Sequence, residues 1–415
     1  MGLKIVYPIC CGIDVHKTFV VACIASTDNG VTTYKRHRFS TYTKGLRELS
    51  QWLCENNCKD VCMESTGKYW IPVFNMLEDS CNITVAHPKY VKAIQGKKTD
   101  KKDAKWMADL FKHDLVPGSF MPPSDIRHLR DLMRYRTKLT NMIASEKNRL
   151  QNSLSVSNIQ LGSVVSDTLG KSSMNIIQKL LQDPENPHLD IPSLIHGSMK
   201  DKIPELELAV DGFITPEQVG KIRVILNHYK SLKHCKDELE QLILSLAEPY
   251  TEEINLLLTV PSIKSIFTAI GIISEIGVNM DEFPSAKHVC SWAGLTPTNN
   301  ESAGKKKSVK ISRAGVYIKP LLVQCANGVA KSDKHPEIRN RYLSIKKRRG
   351  HKRAIIAIAR MLLTAIYHIL KKKEPYNPEL YKTSEVLPAS RELTVEQAIA
   401  LAKSQGFKIK EQPAT

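Results

Sequence analysis

From residue 5 to 40, apolar and β-forming side chains come in short runs broken by turn residues: "IVYPICCGIDV", "TFVVACIAS" and "TTYKRHRFS", with "TDNG" between the last two. Runs of this length, bounded by Asn, Asp and Gly, predict three strands in an antiparallel meander. The period then changes. "GLRELSQWLCEN" and "YWIPVFNMLEDS" space their apolar residues at helical steps, whereas "KDVCMES" and "NITVAHP" predict strands. "TDKKDAKWMADLFKHD" closes the series as a helix. Such an order implies a mixed sheet flanked by helices, an α/β domain. It ends at "VPGSFMPPSD", where Pro117, Gly118, Pro122 and Pro123 mark a linker.

Past the linker the pattern is helical. "DIRHLRDLMRYRTKLTNMIASEKNRLQNSL" has an apolar face and a basic one, while 183–204, broken by prolines, predicts a loop. In the next helix Ile222, Ile225, Tyr229, Leu232, Leu239, Ile243 and Leu246 fall at alternating steps of three and four, interrupted by Lys236. A helix packed inside one chain gives the same stripe, but about three heptads with charged flanks favour a dimerising coiled coil. Further helices are expected at "IFTAIGIISEIG", "SAKHVCSWAG", "YIKPLLVQCANGVAK" and "RAIIAIARMLLTAIYHILKKK", and a last one in the polar tail at "TVEQAIALAKSQG". The expected domains are 1–120, α/β; 121–253, a helical and coiled-coil dimerisation region; 254–375, mostly α-helical; and a polar tail, 376–415.

Length and charge sharpen this picture. A chain of 415 residues is too long for one ordinary core. No apolar run is expected to reach membrane-spanning length, and the opening "MGLKIVYPICCGIDVHK" does not read as a signal peptide. Sixty Lys and Arg against 42 Asp and Glu leave a net charge of +18, which points to a polyanionic partner such as nucleic acid. The excess is concentrated: residues 300–353 hold sixteen Lys and Arg against three acids, Glu301, Asp333 and Glu337. The ten cysteines include "CENNCKDVC" but no C-x-x-C, so reduced, mostly buried thiols are expected rather than a zinc site.

Four acids stand out by position. Asp14 ends one strand in "GIDVHK" and Glu64 another in "VCMESTG"; Asp100 and Asp103 lie three apart at a helix start in "TDKKDA". Each has an ordinary structural role available, as a turn residue, an N-cap or a first-turn charge. Four together at the ends of neighbouring elements are hard oxygen ligands suited to Mg2+ (or Mn2+). The second candidate is Ser302, in "TPTNNESAGKKKSVKISRAG", a turn-flanked hydroxyl followed within eleven residues by Lys305, Lys306, Lys307, Lys310 and Arg313. It is either a cap on a solvated loop or a nucleophile for phosphate, with Ser308 and Ser312 as alternatives on the same loop. The run "RNRYLSIKKRRGHKR" adds Arg339, Arg341, Lys346, Lys347, Arg348, Arg349, Lys352 and Arg353, either a solvated helix face or a nucleic-acid backbone contact.

"GIDVHK", "MESTGKYW", "KTDKKDAKWMADLF", "AGLTPTNNESAGKKKSVKISRAG" and "RRGHKRAIIAIARMLLTAIYHIL" together resemble the DEDD-type insertion-sequence transposases, the group that includes the Piv-type DNA invertases. The resemblance covers about two-thirds of the chain, in the same order at both ends. It implies an RNase-H-like (RuvC-like) N-terminal domain and a small C-terminal transposase domain. It makes Asp14, Glu64, Asp100 and Asp103 a metal-binding tetrad and Ser302 a nucleophile that forms a covalent phosphoserine with DNA, in a composite site shared across subunits. It also implies donor and target DNA as partners, a bridge RNA from the element as guide, a homo-oligomer (dimer or tetramer), and a cytoplasmic, nucleoid-associated place in a prokaryotic cell, with no membrane. One departure is "VPSIKS", where Ser262 and Lys264 stand in place of the glycines of the family's P-G-I-G turn. The competing functions are a RuvC-like nuclease that uses water and a non-catalytic nucleic-acid-binding repressor.

Overall fold

A computed structural model describes residues 3–91, 100–184, 189–297, 300–302, 305–308 and 310–381, together with Ile399 and Ser404. The helix expected at "TVEQAIALAKSQG" lies outside the described residues apart from those two. The chain divides into two compact units, Met1–Pro122 and Pro123–Thr415.

The meander of the first unit is β1 (Ile9–Val15), β2 (Phe19–Asp28) and β3 (Val31–Ser40). It is followed by α1 (Thr43–Glu55), β4 (Asp60–Glu64), α2 (Trp70–Leu77), β5 (Asn82–Ala86), the single turn α3 (Pro88–Val91) and α4 (Asp100–Phe111). The sheet order is β3-β2-β1-β4-β5, with β1–β3 antiparallel and β1, β4 and β5 parallel to one another. The mixed α/β sheet is therefore as expected. Strand alternation sorts the two faces. Cys11, Ile13, Val15, Val61 and Met63 pack with Leu49 and Leu53 of α1 and Val73 and Leu77 of α2. Cys10 and Cys62 face the other way, onto Met107, Ala108 and Phe111 of α4.

The second unit opens with α5 (Ser124–Val156), α6 (Leu161–Val164), α7 (Lys171–Gln182), α8 (Ile191–Leu194), α9 (Ile203–Ala209) and α10 (Pro216–Ala247). The segment expected to be a loop at 183–204 holds α8, a 3-10 turn at Gly197–Lys202 and the start of α9. Two of its prolines, Pro192 and Pro204, sit in the first turns of α8 and α9, where a missing N–H costs no helical hydrogen bond. The stripe on α10 also needs correcting. Its partner is α5 of the same chain, lying antiparallel, with Ile222, Ile225, Leu232 and Ile243 buried and Leu246 left 43% exposed. The polar break at Lys236 is part of this seam: Glu240 accepts from both Arg136 (2.6 Å) and Lys236 (2.7 Å). Intrachain packing accounts for the periodicity, so the stripe itself calls for no second copy.

The remaining helices are α11 (Thr251–Leu258), α12 (Ile266–Ile276), α13 (Ala286–Trp292), α14 (Ile318–Ala330), α15 (Pro336–Arg349) and α16 (His351–Lys372), with a two-stranded hairpin, β6 (Asn300–Ser302) and β7 (Lys305–Ser308), between α13 and α14. Contrary to expectation, one apolar stretch does have spanning length: α16 is long and apolar enough to cross a bilayer, but 61% of its apolar window is buried, packed on α14, α15, α13 and α11. Arg134 of α5 makes two bonds to the buried Glu275 of α12 (2.8 and 2.9 Å), and Arg130 donates to the Ser274 and Glu275 carbonyls, both at 2.9 Å. In the turn before α12, Ser262 takes φ +67°, the left-handed region that favours glycine. A serine here thus holds a backbone conformation that glycine adopts more readily. Seven of the ten free cysteines are buried. Burial pushes the Cys10 and Cys62 thiols up to about 12, so neither is a ready thiolate at neutral pH.

Candidate functional site

Two groups of candidate residues are described, one in each unit. In the first, Asp14 and Glu64 lie one step past the last registered pair of β1 and β4, Ile13 with Met63. Parallel pairing therefore brings both carboxylates to the same ends of adjacent strands. Two residues separate them from Gly12 and Cys62, so they share the sheet face covered by α4.

Gly12 determines how close that helix comes. A Cβ there would stand 2.4 Å from the Ala104 carbonyl oxygen and 2.5 Å from the Ala108 amide nitrogen. The backbone of α4 therefore rests directly on β1, and it runs antiparallel to the strand. The Tyr7 ring stacks on Phe111 (4.6 Å between centroids), and Cys10 Sγ donates to the Ala108 carbonyl at 3.6 Å. A strand rises about 3.3 Å per residue and a helix about 1.5 Å, so moving four strand residues from Cys10 to Asp14 corresponds to about nine along α4. The level of Asp14 is thus the first turn of α4, which holds Asp100 and Asp103. Asp103 is half-buried; the side chain of Asp100 lies outside the described residues.

The local partners differ. The His16 Nε2–H donates to Asp14 Oδ2 at 3.1 Å, and the imidazole lies against Phe19 with 4.5 Å between ring centres. Thr66 donates to Glu64 Oε1 at 3.1 Å. Among the described residues no three His, Cys, Asp or Glu side chains form a metal-ligand group. Neighbouring backbones bring the tetrad positions to one end of the sheet, but the described side chains do not converge on one point. Hard carboxylate donors at strand ends, with a helix start level with them, suit a divalent ion such as Mg2+ in donor type. His16 and Thr66 were not singled out from sequence; their adjacency to Asp14 in "GIDVHK" and to Glu64 in "MEST" was the available signal.

In the second unit Ser302 ends β6, paired with Lys305 of β7. The side chains of Ser302, Lys305, Lys306 and Lys307 lie outside the described residues. The stem beneath them is tightly tied. Pro297 bridges Ile311, and Gly294 (φ +66°) and Gly315 (φ +67°) meet back to back, where a Cβ on Gly315 would stand 2.1 Å from the Ala293 carbonyl oxygen. Lys319 of α14 donates to the Ser312 carbonyl at 2.6 Å, and burial lowers its pKa.

Beside this stem lies a groove of about 1280 Å3 between α15 and α16, edged by Lys310, Arg341, Arg349, Lys352, Arg353 and Arg360. Of the basic residues expected to meet nucleic acid, Lys310, Arg341, Arg349, Lys352 and Arg353 line it. Lys346, Lys347 and Arg348 are exposed on the last turn of α15 but do not line the groove, and Arg313 is exposed on the loop before α14. Arg360 was missed from sequence because it sits seven residues past the basic run, inside the apolar stretch of α16.

Two family models match the chain. One, described as a transposase of DEDD type (IS110), matches residues 11–158, and the other, the transposase IS116/IS110/IS902 family, matches residues 254–343. The chain is also similar to the pilin gene-inverting protein of Moraxella bovis, 23% identical over 394 residues and covering 89% of this chain and 98% of the relative. The pilin gene-inverting protein of Moraxella lacunata is 24% identical over 392 residues, with the same coverage.

Proposed function

Because the chain belongs to the IS110/IS116/IS902 transposase family and is therefore a DNA recombinase, we propose that it cuts and rejoins DNA through a covalent phosphoserine on Ser302. Asp14, Glu64, Asp100 and Asp103 hold a divalent ion, Mg2+ or Mn2+. RNA encoded by the element guides the reaction, and the working form is a homo-oligomer. In this reading 1–120 is the metal-binding domain, 121–253 a helical connector, and 254–375 the domain that presents the serine. The strand order β3-β2-β1-β4-β5, antiparallel on one side and parallel on the other, supports an RNase-H-like first domain.

In the proposed step the Ser302 hydroxyl oxygen forms a bond to phosphorus while the bond from phosphorus to one deoxyribose oxygen breaks. The serine proton leaves, and the departing deoxyribose oxygen takes one up. Attack by another deoxyribose hydroxyl reverses these changes and joins the new strand. The phosphodiester count is conserved, so no nucleotide triphosphate is consumed. A divalent ion, when bound, supplies positive charge that favours ionised oxygen at the reacting phosphate. Asp14 and Glu64 offer hard donors to it, and His16 holds one Asp14 oxygen in place. Lys310 and Arg313 supply cationic charge beside the serine hairpin, where phosphate charge builds up.

The observation that carries the reading is the close seat of α4 on Gly12, which brings a D-x-x-D helix start level with the strand-end acids Asp14 and Glu64. The test uses a nicked suicide substrate bearing the element's own ends, with its flanking RNA and Mg2+. A protein–DNA adduct on a denaturing gel is expected for the wild type and absent in Ser302→Ala and Asp14→Ala. Cleavage that persists in Ser302→Ala, with no adduct in the wild type, would mean that water is the nucleophile.

A further inference from the structure

The groove beside the serine hairpin has a composition that duplex DNA does not require. On α15 the groove-lining residues are Arg341, Ile345 and Arg349, spaced by four; on α16 they run from Lys352 and Arg353 through Ile356, Ala357, Arg360 and Met361 to Thr364. The hairpin stem adds Leu295, Pro297, Lys310 and Ile311. The result is a recessed aliphatic floor within a cationic edge, and among the described residues none that lines it is acidic.

Charge complementarity names the occupant as a polyanion. The floor narrows the choice further. Contacts to a duplex go to phosphates from exposed cations, and base edges in the grooves are polar; neither gains from half-buried Ile345, Ile356 and Met361. Unpaired bases do, because their faces are apolar and stack on apolar and guanidinium surfaces while phosphates stay at the edge. Four of the six cations are arginines, whose planar groups both pair with phosphate and stack on rings. At about 1280 Å3 the groove exceeds the roughly 300–1,000 Å3 of small-ligand pockets. It therefore suits a run of nucleotides rather than a mononucleotide.

We infer that this groove seats unpaired nucleotides, with their bases on the Ile345, Ile356 and Met361 floor and their phosphates on the arginine edge. The inference rests on the reading of the chain as a nucleic-acid recombinase and adds the strand state of the bound segment.

The test measures fluorescence anisotropy of a labelled 20-nucleotide oligomer, single-stranded or annealed to its complement, with the full chain over a salt series. A floor variant, Ile356→Asn with Met361→Gln, leaves charge unchanged. It is expected to lose about tenfold in affinity for the single strand, in line with the typical contribution of one stacked base, and to bind the duplex as before with the same salt slope. An edge variant, Arg341→Gln with Arg349→Gln, should weaken both and flatten the slope by about two. A floor variant that binds both forms like the wild type, or loses both equally, overturns the inference. Ultraviolet crosslinking of a 5-iodouracil oligomer to the wild-type chain gives a check independent of variant folding. Adducts are expected on peptides holding Ile345, Ile356 or Met361, and adducts confined to other peptides overturn the inference. Failure of the recombinase reading is seen separately, as no covalent adduct on the suicide substrate. A wild-type chain that binds neither oligomer would overturn the inference and point to an acidic protein segment as the groove's occupant.

Discussion

Gly12→Ala is a small substitution with a large expected consequence. The added Cβ would stand 2.4 Å from the Ala104 carbonyl oxygen, 2.5 Å from the Ala108 amide nitrogen and 3.0 Å from Met107 Cβ. Two of these contacts are backbone, so no rotamer change relieves them. Ordinary contact begins at 3.4 Å, and α4 must retreat by about 1 Å. Overpacking of this kind costs roughly 1–3 kcal/mol, a fraction of the ~5–15 kcal/mol that holds a typical domain together. The variant should fold. The same retreat carries the start of α4, with Asp100 and Asp103, away from Asp14 and Glu64, and misplacement by about 1 Å can cost around a hundredfold in rate. The assay is adduct formation on the suicide substrate against Mg2+ concentration, beside a thermal melt. A melting temperature lowered by several degrees, with adduct yield down by one to two orders of magnitude, is expected. Wild-type yield with a lowered melt would refute the idea that the α4 seat positions the metal ligands. An unchanged melt would refute the packing argument itself.

Two further outcomes are expected. Lys319→Met removes the charged donor from the Ser312 carbonyl and should slow adduct formation about tenfold while increasing proteolysis within 298–309; equal rates would show that Lys319 does not hold the serine hairpin's stem. Asp109 is pushed up by burial but held below the usual carboxylate range by hydrogen bonds from Lys105, Tyr34 and Lys112. Its stabilising effect is therefore present above about pH 4 and lost as pH falls through the lower folded value, so the melting temperature of Asp109→Asn should fall less than that of the wild type between about pH 5 and 2.

The first unit was legible because strands and helices there carry different periods and most of its turns have Asn, Asp, Gly or Pro. Asp14 and Glu64 could be singled out as strand ends by the same logic. Less legible was whatever depends on a neighbour's identity. The α10 stripe was visible as a seam, but its period is the same whether α5 or a second chain fills it. Prolines at 192 and 204 looked like breaks because a missing N–H ends a helix in its middle yet is harmless in its first turn. The basic run of α15 looked uniform along the chain, and only the packing of α16 against it separates groove-lining Arg349 from Lys346, Lys347 and Arg348.

Sequence alone determined the main order of elements in the first unit, the charge excess in 300–353 and the candidate acids and serine, since these follow from local period and side-chain chemistry. Tertiary structure alone decided that Gly12 is the contact on which α4 rests, that Lys319 donates to the Ser312 carbonyl after the serine hairpin, and that Arg360 joins an aliphatic floor to a cationic edge. Each of these pairs residues far apart in the chain, and a period read along one element carries no record of what another element lays against it.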